Sequence, residues 1–213
     1  MSGSVDARGP LWARSYVRLA RKADQRGGAD HRRRLLEGLT GRVAEIGAGQ
    51  GVNFAHYPQS VSEVVAVEPL AYLRTLAEQA AQRAPVRVTV LEGTAGALPF
   101  DDSSFDAAVV SLVLCSVPDQ QRALKEIGRV LRPGGELRFY EHVVARNAVA
   151  AALMRFADAT FWPRVAGGCH CARDTASAIG EAGFGIERLQ RFIFRGATLE
   201  PPIPHILGCA RAS

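Results

Sequence analysis

With 213 residues, 47% of them hydrophobic, the chain is long enough to bury one full core and is expected to form one main domain. The net charge of +5 comes from residues 1–34, which hold nine Lys or Arg against three acids. The rest is close to neutral, which argues against a basic groove and a nucleic-acid partner. The apolar runs are too short for a membrane helix or a signal peptide, and the four scattered cysteines indicate a reducing compartment, so we expect a cytoplasmic enzyme.

Helical and strand-like segments alternate along the chain. Trp12, Tyr16 and Leu19 recur at helical spacing, which predicts a helix over 11–24, a break at Gly27-Gly28 and a second helix to about Leu39. Further on, buried-strand patterns alternate with helical ones: strands at 43–46, 64–67, 86–91, 104–111, 136–143, 184–194 and 203–210, and helices at 69–83, 118–131, 148–161 and 173–182. This order predicts a parallel sheet between two helical layers, with ligand sites at the carboxyl ends of the strands and an antiparallel final pair.

A glycine loop follows the first strand, in the run Glu45-Ile46-Gly47-Ala48-Gly49-Gln50-Gly51. Alternate glycines allow the backbone to approach a nucleotide-like ligand, because no Cβ stands in the way. The spacing G-x-G-x-G differs from the dinucleotide fingerprint G-x-G-x-x-G and favours S-adenosylmethionine over NAD or FAD. About 20 residues later the second strand ends at Glu68, whose carboxylate can accept hydrogen bonds from both ribose hydroxyls. The alternative for Glu68 is a solvated acid at a strand end.

Five ordered motifs resemble the class I S-adenosylmethionine-dependent methyltransferases over about residues 35–143. They are the glycine loop, Glu68, the runs 97–100 and 131–135, and Phe105-Asp106. The resemblance implies a Rossmann-like α/β fold, with a mostly parallel seven-stranded sheet, helices on both faces and a C-terminal antiparallel hairpin. It also implies a set of cofactor-binding residues: Glu45, Gly47, Gly49, Gly51, Asn53, Glu68, Pro69, Leu70, Thr94, Ala95, Ser111 and Leu112. Within this set, Thr94 stands where relatives often carry an acid.

A narrower resemblance links the chain to the methyltransferase-like-seven group of alkyl thiol methyltransferases. It runs through residues 38–41, 51–58, 112–117, 139–143 and 168–169. It implies S-methylation of a small lipophilic thiol or dithiol metabolite, while O-, N- or C-methylation of a quinone- or natural-product-like metabolite stays open. The relatives carry an apolar N-terminal anchor, whereas this chain has a basic amphipathic segment, so peripheral membrane association is not expected. The oligomeric state is left open.

Thiol methylation needs little help from the protein. A thiol with a pKa of about 8.5, the value of a free cysteine, is ionised to a few per cent at neutral pH. His142 is the candidate for assisting deprotonation, oriented by Glu141. The alternative for His142 is a strand-end histidine satisfied by the backbone. The hypothesis for the acceptor pocket comprises Trp12, Tyr16, Cys115, His142, Trp162, His170 and Arg173.

Three other features have both a functional and a structural interpretation. Residues 1–40 are predicted to form a helical lid over a methyltransferase domain at 41–213. The loop around residues 162–173 is either a cover for the pocket or an ordinary helix connection. Cys115 is interpreted as a small buried apolar residue, and the run 32–34 as a solvated helix face. Cys169-His170-Cys171 is not expected to bind a metal, because the sequence offers no complementary ligand cluster.

Overall fold

The order of the elements follows the predicted alternation. The structure, a computed structural model, describes residues 10–196 and 201–212, and the side chains of residues 10–12 lie outside this description. The strands are β1 Gly41–Ile46, β2 Val61–Val67, β3 Val88–Leu91, β4 Phe105–Ser111, β5 Leu131–His142, β6 Phe184–Phe194 and β7 Ile203–Ala212. The helices are α1 Pro10–Ala23, α2 Ala29–Leu36, α3 Ala71–Ala81, α4 Gln120–Val130, α5 Ala148–Thr160, α6 Trp162–Val165 and α7 Thr175–Glu181.

The seven strands form one sheet in the order β3-β2-β1-β4-β5-β7-β6. The first five strands pair in parallel, whereas β7 is antiparallel to both β5 and β6. The order reverses between β1 and β4, which is the point where open α/β sheets bind their ligands, outside the carboxyl ends of the strands. The predicted fold class is therefore confirmed.

Both faces of the sheet are buried, as the continuous apolar runs of its central strands require. Val43–Ile46 and Val64–Val67 lie in the interior. Helix α4 begins at the N-cap Asp119, whose carboxylate accepts from the Arg122 backbone N–H at 3.0 Å. Its buried positions recur at helical spacing and cover one face of the sheet: Ala123, Leu124, Ile127 and Val130.

The boundaries differ from the predicted ones by a few residues, and two differences have a clear cause. Strand β5 begins at Leu131 rather than at residue 136, because Leu131 pairs with Phe105 across a register irregularity. The predicted break at Gly27-Gly28 is a kink with a φ of 115° at Gly27, inside a π-helical turn that joins α1 to α2. The second helix ends at Leu36 instead of Leu39, since Glu37 already has an extended backbone.

Candidate active site

The glycine loop after β1 forms the floor of the site. Gly47, Gly49 and Gly51 have φ values of 70°, 58° and 76°, a region that side chains rarely adopt. A Cβ at Gly49 would lie 3.3 Å from the hydroxyl of Tyr16, on the side of the loop that faces α1. The positive φ values favour glycine at all three positions, of which Gly47 is half-buried while Gly49 and Gly51 are buried. The loop follows β1 at the ligand edge of the sheet, the position in which such folds bind a nucleotide-like cofactor.

Glu68, at the end of β2, is tied to this loop. Its carboxylate accepts from the Gly49 backbone N–H at 2.8 Å and from the Leu70 N–H at 3.0 Å. Glu68 is only 5% exposed, so the alternative of a solvated strand-end acid is wrong. The next residues are also held in place, because the Arg74 guanidinium donates to the carbonyls of Glu68 and Pro69. The burial of Glu68 beside the glycine loop is established, whereas its ribose role stays a prediction.

The other cofactor candidates past β2 have mixed surroundings. Leu70 packs with Tyr16 near a small cluster formed by Ala13, Val17 and Leu73, which brings α1 against α3. Thr94 is exposed and forms an isolated bridge with Ala97, while Ala95 is buried in the main core. The adenine role of Thr94 and Ala95 stays a prediction.

A buried polar network lies behind the glycine loop, around Glu45. The Glu45 carboxylate accepts from Asn53 Nδ2 at 2.9 Å and from the Tyr57 hydroxyl at 2.7 Å. Burial raises the pKa of Glu45 to about 7, although these two bonds and the nearby Arg32 oppose the shift. Asn53 thus holds the end of β1, and its predicted contact with the cofactor stays a prediction.

Arg32 is the main residue that sequence reasoning missed. Its Nε donates to Asp24 at 2.9 Å, and its NH1 donates to the side-chain oxygens of Asn53 at 2.9 Å and Ser111 at 3.1 Å. The prediction of a solvated face is wrong for this residue, which is 6% exposed, although its neighbour Arg33 is exposed. A signal was present, because Arg32 precedes the buried Leu35 and Leu36 by three and four residues and so shares their helix face.

The turn after β4 is strained where it meets the site. Leu112 has a φ of 60°, which is costly for a bulky residue, and its N–H donates to the Tyr140 carbonyl at 2.7 Å. Ser111, just before it, accepts from Arg32. Both residues lie at the ligand edge where the resemblance places them.

Glu141 holds this turn rather than orienting His142. Its carboxylate accepts from the backbone N–H groups of Val113 at 2.9 Å, Leu114 at 2.9 Å and Cys115 at 3.1 Å. The predicted orientation of the His142 imidazole by Glu141 is therefore wrong. Burial raises the pKa of Glu141, and the three amides oppose that shift.

His142, the last residue of β5, faces two thiols. Its Nδ1 lies 3.1 Å from Cys169 Sγ and 3.7 Å from Cys115 Sγ, and both cysteines are buried. The hydrogen bond between the two thiols, together with His142, lowers the pKa of Cys169. Hydrogen bonding to Cys169 and burial raise the pKa of Cys115. The fold thus assembles a sulfur and imidazole cluster from three separate segments, and Cys115 is more than an apolar filler.

The segment 161–173 lies over this cluster. Trp162 begins α6, and its buried indole N–H points close enough to Cys169 to lower the pKa of that thiol. His170 is partly exposed, pairs with Asp158 through Nδ1 at 2.9 Å, and donates its backbone N–H to the Cys115 carbonyl at 2.6 Å. The imidazole of His170 is thus bound to Asp158, and its predicted contact with substrate stays a prediction.

The Arg173 guanidinium forms hydrogen bonds that stabilise the fold. Its NH1 donates to the carbonyls of Leu114 and Val117, each at 2.7 Å. The guanidinium thus ties the segment 161–173 to the turn after β4, and its predicted contact with substrate stays a prediction.

Helix α1 crosses above these residues. The Tyr16 hydroxyl approaches Gly49, and its pKa is raised by burial, with contributions from the charges of Glu68 and Cys115 and an opposing one from Arg32. Tyr16 therefore lies between the cofactor loop and the sulfur cluster. Trp12, the other acceptor candidate of α1, has a side chain outside the described part of the chain.

Comparisons with known proteins agree with this arrangement. Residues 44–139 match the family model of a methyltransferase domain. The chain is 36% identical to the thiol S-methyltransferase TMT1B of Mus musculus over 208 residues, which covers 94% of this chain and 82% of the relative. It is 33% identical to human TMT1A over 178 residues, covering 81% and 72%.

Solved structures give the same fold. An S-adenosylmethionine-dependent methyltransferase from Thermotoga maritima superimposes with a TM-score of 0.70 at 23% identity, covering 94% of this chain and 95% of that one. S-adenosylmethionine is the cofactor that the glycine loop and the buried Glu68 fit. The chain belongs to the class I S-adenosylmethionine-dependent methyltransferases, in the family of the thiol S-methyltransferases TMT1A and TMT1B.

Proposed function

We propose that this protein transfers the methyl group of S-adenosylmethionine to the sulfur of a small lipophilic thiol or dithiol. The proposal rests on the acceptor side of the site, where the His142 imidazole contacts two thiols. The nearby carboxylate of Glu141 accepts hydrogen bonds from three backbone amides. Because Glu141 already accepts these three N–H groups, we infer that it does not act as a strong base, and a thiol acceptor does not need one. The similarity to TMT1B and TMT1A supports the same acceptor.

In this proposal the cofactor is held by the glycine loop and by Glu68. Bound there, it supplies a methyl group on a sulfonium, which is already a good leaving group. The bare backbone at Gly49 takes the methionine part, and the Glu68 carboxylate takes the ribose hydroxyls. Glu45, Asn53 and Arg32 act behind the loop by keeping its position, because their hydrogen bonds link β1 to α2 and β4.

The acceptor lies between Tyr16 and the end of β5. A thiol near its ordinary pKa is partly ionised at neutral pH, and His142 assists by taking up its proton. The main contribution of the chain is alignment of the sulfur with the methyl group and exclusion of water. Tyr16, which is half-buried beside Gly49, is placed for both tasks.

The lipophilic character of the acceptor is inferred from helices α5 and α6. Their outer faces carry large exposed apolar side chains, with Phe156 67% exposed, beside the segment that holds Cys169. These residues are Val149, Leu153, Phe156 and Val165, and Phe161 between the two helices is also exposed. An apolar surface at the rim of a site favours an apolar ligand.

We further propose that residues 1–40 act as a lid. Ala13, Val17 and Leu73 pack together, and Arg32 ties α2 to the loops after β1 and β4, so the N-terminal helices close over the glycine loop. The part of this segment before residue 10 lies outside the description.

We place the protein in a reducing compartment, the cytoplasm, because Cys115, Cys169, Cys171 and Cys209 are free thiols. Every helix within residues 10–196 and 201–212 is too short or too polar to cross a membrane.

A matched acceptor series tests the proposal. The protein is incubated with labelled S-adenosylmethionine and with a thiol, phenol, amine and enol of the same carbon skeleton, and initial rates are compared. We expect the thiol to be methylated much faster than its counterparts. Faster transfer to the phenol, amine or enol would reject sulfur and favour the O-, N- or C-methyltransferase alternative.

A further inference from the structure

The cluster of Cys115, His142 and Cys169 has the dimensions of a metal site. Sγ of each cysteine and a ring nitrogen of His142 all lie within 4.8 Å of one another. Tetrahedral zinc, with Zn–S of about 2.3 Å and Zn–N of about 2.0 Å, separates S from N by about 3.5 Å. The observed separations from His142 Nδ1, 3.1 Å and 3.7 Å, lie on either side of this value. Small side-chain shifts would bring all three atoms onto one ion.

The three ligand atoms are held by a rigid surrounding. Glu141 binds the backbone amides of the turn that carries Cys115. The His170 N–H donates to the Cys115 carbonyl at 2.6 Å, which joins that turn to the segment carrying Cys169. Arg173 adds two more bonds between the same segments. Because these bonds already hold the ligand side chains in place, little conformational entropy is lost when the ion binds, which favours metal binding.

The donor set and its burial select the ion. Two sulfurs and one imidazole suit a borderline-soft cation, and zinc accepts such mixed ligands without redox chemistry. Two thiolates and Zn²⁺ are together neutral, so the buried cluster would carry no net charge with the ion bound and before the acceptor thiolate joins it. Three protein ligands with a position left for an outside ligand are the arrangement of catalytic zinc, whereas structural zinc takes four protein ligands.

We propose that Cys115, His142 and Cys169 bind Zn²⁺ and leave a fourth position for the acceptor thiol. This use of the fourth position rests on the proposed thiol methylation, whereas metal binding itself does not. The cluster was hidden in the sequence, because its members are separated along the chain and the local run Cys169-His170-Cys171 contributes only Cys169.

The proposed ion changes how the acceptor is activated. The acceptor thiol loses its proton to solvent as its sulfur binds zinc, so His142 serves as a ligand instead of taking up the proton. The sulfur lone pair then attacks the methyl carbon, and the carbon–sulfur bond to the sulfonium breaks with its electron pair retained by the departing S-adenosylhomocysteine. The product is a neutral thioether, a weaker ligand than a thiolate, and it leaves the ion.

Metal binding is tested first on the purified full chain. The protein is reduced, stripped of metal and titrated with Zn²⁺ against a competing chelator, and Co²⁺ is added separately to record thiolate-to-cobalt absorption. We expect one Zn²⁺ per chain and a cobalt spectrum with thiolate bands. A folded chain that binds no Zn²⁺, or whose Co²⁺ form shows no thiolate-to-cobalt bands, would overturn the proposal.

Single variants assign the ligands. Cys115→Ser, Cys169→Ser and His142→Gln should each weaken Zn²⁺ binding by more than the roughly 10–100-fold that loss of an outer-shell partner costs. Cys171→Ser and Cys209→Ser are the controls and should bind as the unchanged chain does. Circular dichroism selects the variants that are folded, and unchanged binding in a folded ligand variant would contradict the assignment.

A third measurement separates the metal site from the proposed function. A small thiol is added to the Co²⁺ form, and we expect its sulfur to alter the absorption spectrum, whereas the matched alcohol does not. An unchanged spectrum would overturn the open fourth position. Thiol methylation at the full rate by a chain shown to be free of metal would overturn the activating role and leave the proposed function intact. Zinc binding without any thiol methylation would overturn the proposed function and leave the metal site intact.

Discussion

Replacement of Arg32 by methionine tests the buried network that joins the N-terminal helices to the sheet. Met keeps an apolar stem of similar length and removes the charge. Arg32 is bonded to Asp24, Asn53 and Ser111, and its side chain is 7% exposed while that of Asp24 is 22% exposed. Breaking a buried ion pair on one side costs about 3–5 kcal/mol. Because Asp24 keeps some contact with water, we expect a loss near the lower end, about 3 kcal/mol.

The expected loss is large enough to measure by two methods. For a chain of this size about 3 kcal/mol corresponds to a fall in Tm of roughly 6–12 °C. Urea unfolding gives the free energy directly, and thermal unfolding gives the Tm. Arg33→Met is the matched control, because Arg33 is exposed and its removal should change stability by less than about 0.5 kcal/mol.

A double-mutant cycle with Asp24→Asn then isolates the ion pair. We expect the double variant to be less destabilised than the sum of the single variants, since Asp24 no longer loses a partner. If Arg32→Met and Arg33→Met have equal effects on stability, the reasoning about the buried network is refuted.

Three further changes test the cofactor side of the site. Glu45→Gln should gain stability relative to the unchanged chain as pH rises from about 5 to 7, by about 2 kcal/mol, because a folded-state pKa raised from 4.5 to about 7 makes ionisation costly in the folded state; a pH-independent difference in urea unfolding would contradict this. Glu68→Ala should weaken S-adenosylmethionine binding by about 1.5–3 kcal/mol in calorimetry, the range for hydrogen bonds to a charged group, and unchanged affinity in a folded variant would remove the ribose assignment. Gly49→Val should abolish cofactor binding, because a β-branched residue is strained at a φ of 58° and its Cβ would point toward Tyr16; normal binding would show that the loop is not a close-approach site.

The sheet was predictable because its signals are local. The apolar runs at the ends of β1 and β2 show buried parallel strands directly, and the acids Glu45 and Glu68 mark where these strands reach the ligand edge. Helix α4 ends at Val130, and β5 begins directly after it at Leu131 and includes residues 133–135. This early start depends on the pairing of Leu131 with Phe105, which a local pattern cannot show.

The acceptor side was less predictable, because it depends on contacts between distant segments. Cys115 and Cys169 both meet His142, although each lies 27 residues from it in sequence. The carboxylate of Glu141 was expected beside His142, and three backbone amides after β4 bind it instead, a competition that only the folded turn reveals. Arg32 was assigned to solvent because its charged neighbours obscured the helix face that it shares with Leu35 and Leu36.

The central claim, methyl transfer to sulfur, is tested most directly with one acceptor that carries a thiol and a phenolic hydroxyl on the same ring. Both nucleophiles then share one binding affinity and one route into the site, so the position of the added methyl reports the preference of the chemistry alone. The product is isolated after a single incubation with S-adenosylmethionine, and the methylated atom is identified by mass spectrometry and NMR. We predict the S-methyl thioether as the main product, and a predominance of the O-methyl ether would contradict the account.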